Sequence, residues 1–216
     1  TFDGTAVEAF CVQTFARAVP SGVAYVVADG NHDSDLTSSQ ARAVGATVLD
    51  GQVVEVAGLR ILGDRDPNRT RIGEGTSPAG AEDEAEVGAR LADVACADAD
   101  VDLLLVHTPV VGTPALQRGC VPAQVSGHMH TRLGPIRFGE GVRYVSGSTA
   151  GATLGQPTVG PLGGTAEMTV LRFDAETGRV LDFRLVAVHA NGTAQVDPAL
   201  RWPTAPEPEP LPGAPV

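Results

Sequence analysis

Val7, Phe10, Cys11, Thr14, Phe15 and Ala18 recur at helical spacing over residues 5–19, and Pro20-Ser21-Gly22 closes that element. A short apolar run over 23–28, bounded by Gly22 and Asp29-Gly30, reads as a buried strand that hands the chain to Gly30-Asn31-His32-Asp33. Residues 34–44 suggest a helix, and 53–56 with 59–62 a hairpin around Ala57-Gly58. From 64 to 80 no hydrophobic period survives, which predicts an exposed loop. Ala85, Val87, Leu91 and Val94 place one apolar face on a helix over 82–95. Strands follow over 101–106 and 123–125, separated by a short helix near 113–118. The pattern then changes to strand pairs, 136–138 with 142–145 and 166–173 with 180–188. A Gly, Ser and Thr rich connection over 146–164 reads as a mobile loop. Residues 203–216, with six prolines and no aromatic residue, cannot bury enough surface to fold. The expected organisation is one domain over 1–190 and a Pro-rich, disordered tail over 191–216.

At 216 residues and 43% hydrophobic, the chain is long enough to bury a substantial core. Its net charge of −11 argues against a nucleic acid duplex or an anionic membrane as partner, since both require a basic surface. A small substrate fits better. No apolar run reaches the length of a membrane span and no charged-then-apolar leader opens the chain. A soluble domain without membrane contact by this segment is expected, and a membrane-attached or extracytoplasmic setting stays open. Cys11, Cys96 and Cys120 have no Cys-x-x-Cys spacing, so a cysteine zinc site is not indicated. Cys96 and Cys120 each precede a predicted strand. If those strands are parallel neighbours the two sulfurs could meet; otherwise all three are ordinary thiols.

The chain has five histidines, and four of them fall at or just beyond strand ends: His32, His107, His128 and His130. Open α/β sheets place ligand sites beyond the carboxyl ends of their strands. Imidazole nitrogen with amide or carboxylate oxygen is the donor set that zinc, manganese and iron accept. Asn31-His32-Asp33 alone is as readily a turn, and His107 alone a core histidine. Their order with Gly127-His128-Met129-His130 is what gives them weight. His189 ends a strand away from any such motif and reads as exposed structure. Asp64 and Asp66 could approach a substrate from the predicted loop, or be merely solvated.

Gly30-Asn31-His32-Asp33, a lone His107 after an apolar strand, and Gly127-His128-Met129-His130, in that order, resemble the calcineurin-like metallophosphoesterases. The resemblance implies an α/β fold, a two-sheet β-sandwich flanked by helices in four αββα layers. It implies hydrolysis of a phosphomonoester or phosphodiester, assisted by two divalent ions (Mn, Fe or Zn) about 3.5–4 Å apart. A small phosphorylated molecule would be the substrate. By motif, Asn31, His107 and His128 hold one metal and His130 helps hold the other, while His32 faces the phosphate and Asp33 orients it. The family also carries an Asp-x-His and a Gly-Asp motif upstream of the Gly-Asn-His-Asp element. This chain has no Asp-x-His, and Gly63-Asp64 lies downstream. Thr1-Phe2-Asp3-Gly4-Thr5 resembles the stretch that follows the Gly-Asp motif, so the domain is expected to be N-terminally incomplete. Three readings therefore stand: a two-metal hydrolase, a phosphoesterase-like domain that binds without catalysis, and a mononuclear hydrolase using Asn31, His107 and His128.

Overall fold

The computed structural model describes residues 6–71, 73–98, 100–153 and 164–204. Within them the chain is mixed α/β, with four α-helices and several sheets. The expected opening helix is α1 (Ala6–Ala18), and the short parallel pair β1 (Val26–Val27) and β2 (Thr47–Val48) flanks α2 (Asp35–Ala43). Ser34 caps α2 by accepting the Thr37 amide at 3.3 Å, with Asp35 in the first turn and Arg42 in the last, matching the helix dipole. Next come β3 (Val54–Val56), β4 (Leu59–Asp64), β5 (Asn68–Arg71), β6 (Gly75–Pro78), α3 (Glu84–Asp98) and β7 (Leu103–Val106). Helix α3 starts later than its apolar face suggests because Asp83 caps it, accepting the Ala85 and Glu86 amides at 2.9 Å. A 3₁₀ turn (Pro109–Gly112) and α4 (Thr113–Gln117) lead to β8 (Ala123–Ser126), β9 (Leu133–Phe138) and β10 (Gly141–Val145). Strands β11 (Ala166–Phe173), β12 (Val180–Val188), β13 (Ala194–Val196) and β14 (Leu200–Arg201) complete the chain.

Six strands form the main sheet in the order β3-β4-β7-β8-β10-β9, with β4, β7, β8 and β10 parallel. One face packs on helices: Leu62, Leu104 and Val106 against Val87, Leu91 and Ala95 of α3 and Ala115 and Leu116 of α4. The other face packs on the sheet of β11 to β14, where Ile61, Leu103 and Tyr144 meet Phe183, Leu185 and Trp202. Aliphatic burial on both faces explains why β7, Leu103–Val106, reads as an unbroken apolar run rather than an alternating one.

Two expectations need correction. Residues 64–80 are not a plain loop, because β5 and β6 pair as an antiparallel hairpin, Asn68 opposite Pro78 and Arg71 opposite Gly75. Its side chains are polar on both faces, so no alternation marks it. Gly73 and Gly75 adopt positive φ at its turn, which only glycine does without strain. Residues 191–204 are not a free tail: β13 and β14 extend the second sheet and Trp202 is 4% exposed. Residues 205–216, and 154–163 of the predicted mobile connection, lie outside the described residues. Cys96, in the last turn of α3, and Cys120, just ahead of β8, form a disulfide, and Cys11 is free and exposed. No described helix is long and apolar enough to cross a membrane.

Candidate metal centre

Parallel β4, β7 and β8 end at one edge of the main sheet, and the segment after β1 is tied to that edge. The Asp66 amide donates to the Asp29 carbonyl at 2.9 Å, and the Gly127 amide to the His107 carbonyl at 3.0 Å. Four loops are thus laced together, and they carry the predicted residues. Asp33 closes its own loop: its amide donates to the Gly30 carbonyl at 2.9 Å and its Oδ2 accepts the Gly30 amide at 2.7 Å. Gly30 must be glycine, since a Cβ there would lie 2.8 Å from the His107 ring.

Three donor atoms converge in this cradle. His107 Nε2 is 3.0 Å from Asn31 Oδ1 and 3.3 Å from His128 Nδ1, and the two imidazoles meet edge to face with centroids 5.1 Å apart. A ring nitrogen offers one proton or one lone pair, so Nε2 completes only one of these contacts in either tautomer. A cation against all three atoms satisfies them together. Around one ion with bonds of about 2.0–2.1 Å, tetrahedral ligand atoms sit roughly 3.3–3.4 Å apart, close to these spacings. The donors present therefore fit a divalent metal. Among the described residues no three His, Cys, Asp or Glu side chains form a metal-holding group, so the cluster needs the amide oxygen of Asn31 as its third donor.

Asn31 is 8% exposed and held from both ends by the unexpected hairpin. Its Nδ2 donates to Thr70 Oγ1 at 2.7 Å, and its carbonyl accepts the Thr70 amide at 2.6 Å. Arg71 Nη2 reaches the Asp33 carbonyl at 3.2 Å. On the opposite loop, His128 and His130 take left-handed backbone with φ of 69° and 53°, uncommon for non-glycine residues and typical of constrained sites. The intervening Met129 is left 42% exposed. His130 Nδ1 is buried and meets no hydrogen-bond partner among the described residues, which leaves it as a ligand position two residues from His128.

Electrostatics tie the histidines together. Burial pushes His107 down to about 4, with the Asp66 charge opposing and the His128 charge adding to the shift. Burial also lowers His32, against a hydrogen bond to the Thr70 backbone and the Asp33 charge, while His130 lowers it further. Asp66 is 4% exposed rather than solvated, and Thr108 Oγ1 donates to its Oδ2 at 2.5 Å. Asp64 instead pairs with Arg90 at 2.8 Å. His189 contacts Thr165 Oγ1 at 3.2 Å. Asn31, His107 and His128 thus come into direct contact, and His32, His130 and Asp33 act on them or on one another. Sequence reasoning missed Thr70 and Thr108 and underrated Asp66. The only available signal for Asp66 was its place just past a buried strand. No family model matches this chain, and no curated protein does either.

Proposed function

We propose that this chain is a metallophosphoesterase-like domain that hydrolyses a phosphomonoester or phosphodiester with the help of a divalent metal held by Asn31, His107 and His128. The convergence of Asn31 Oδ1, His107 Nε2 and His128 Nδ1 carries this reading. A bound divalent ion there supplies Lewis-acid polarisation of a phosphoryl oxygen and lowers the pKa of water. The chain does the rest. His32, lowered by burial, meets the substrate as a neutral ring near neutrality. An anionic phosphate ester beside it raises its proton affinity, so His32 can take up a proton from solvent and deliver it to the leaving oxygen. Asp33 holds the loop that aims it. His130, with its unpartnered Nδ1, is the donor left for a second ion, one donor where the first site has three. The four-layer αββα stacking belongs to the same reading. It would bring helices onto the outer face of β11, where Met168 and Val170 are exposed.

A second reading, binding without catalysis, is favoured by the donor count, since Asn31, His107 and His128 serve one ion and His130 alone is left for the other. Assays with a phosphomonoester and a phosphodiester on metal-loaded wild type and His32→Ala separate the two. Hydrolysis by wild type, reduced roughly 100- to 10,000-fold in His32→Ala with metal uptake intact, supports the enzyme. Metal uptake without hydrolysis in wild type supports the binding module, and undiminished hydrolysis by His32→Ala removes His32 from the mechanism.

A further inference from the structure

Asn31, His107 and His128 are neutral donors. A dication among neutral ligands in a partly buried cleft is costly unless a carboxylate lies close enough to offset its charge. One buried carboxylate on the adjoining loop, Asp66, is a residue to which the resemblance gives no role. Asp66 lies just past β4, where its Oδ1 accepts the Asn68 amide at 2.8 Å and its Oδ2 accepts the Thr108 hydroxyl at 2.5 Å. Its amide reaches the Asp29 carbonyl, one residue before Gly30. It therefore fixes the loop after β1 and the residue next to His107 at once.

We infer that Asp66 is the positioning residue and counter-charge of this metal site, holding the His107 arm through Thr108 and supplying the negative charge that the three donors lack. The inference rests on the metal-binding reading of the site. The hydrogen bond from Thr108 sets the Asp66 carboxylate against the residue next to His107. Carboxylates behind metal-bound imidazoles strengthen binding without touching the ion. As an amide the residue keeps its oxygen for the Asn68 amide and can donate its NH2 to Thr108 Oγ1, so the loop is still closed but without the charge. Charge is what separates the two roles.

The test is Co2+ affinity, by chelator competition, of the full chain as wild type, Asp66→Asn and Asp98→Asn. The last removes an equal charge from an ion pair with Arg60 at the far end of α3. Asp66→Asn should weaken binding about 10- to 100-fold, Asp98→Asn by less than about twofold given screening, and the cobalt absorption spectrum should be unchanged. Wild-type affinity in Asp66→Asn overturns the inference, as does a spectrum altered by loss of a ligand. No uptake by wild type would sink the metal-binding reading and this inference together; uptake indifferent to Asp66 sinks the inference alone. If Asp66→Asn fails to fold, Thr108→Val should weaken binding roughly threefold to tenfold, and wild-type affinity there overturns it equally.

Discussion

His107 illustrates how one position can carry both packing and chemistry. It follows a buried strand, its ring fills the space that Gly30 leaves open, and burial holds it near 4. The unfolded imidazole titrates near 6.5. Keeping His107 neutral therefore contributes stability that is fully present above about pH 6.5 and is lost as pH falls towards about 4. In metal-free protein the unfolding free energy from urea titration should fall across that window, by at most about 3 to 4 kcal/mol. His107→Gln should flatten the fall; an equal fall in the variant would assign it to other groups. Asn31, His107 and His128 were legible in the sequence because short motifs flank apolar strands. Asp66 and Thr108 were not, because an acid or hydroxyl in a polar stretch looks the same whether it faces solvent or a buried partner.

Elements with a strong apolar period were legible within a few residues: α3, β7, β8, and the β11–β12 pair, whose expected bounds match the observed ones. The hairpin of β5 and β6 was invisible because backbone pairing, not burial, forms it, yet it holds Asn31 through Thr70. The disulfide was legible only as one of two alternatives, since it depended on β7 and β8 being adjacent and parallel, which they are. It joins α3 to the start of β8 across 24 residues, at the end of the sheet opposite the histidines. Reduction, or Cys96→Ser with Cys120→Ser, should cost about 3 kcal/mol in chemical unfolding and leave metal affinity unchanged. A loss of metal affinity would mean the two ends of the sheet are coupled.

For the whole molecule, the main sheet carries helices on one face and a second sheet on the other, and the second sheet reaches beyond residue 190. Tyr144, Phe183 and Trp202 form an aromatic cluster between the sheets, with centroids 6.0–6.1 Å apart. The proline count near the carboxyl end hid this, because a lone Trp202 carries no period. Trp202→Ala should cost about 3 to 5 kcal/mol in urea unfolding, whereas a free tail would show no change. That rigid support is what lets four separate loops meet at one edge of the sheet. Whether they meet around an ion is measured by elemental analysis and chelator competition on wild type, Asn31→Ala, His107→Ala and His128→Ala. One tightly held divalent ion per chain in wild type, lost in each folded variant, is the expected result. No ion in wild type, or an ion that survives all three substitutions, would contradict it.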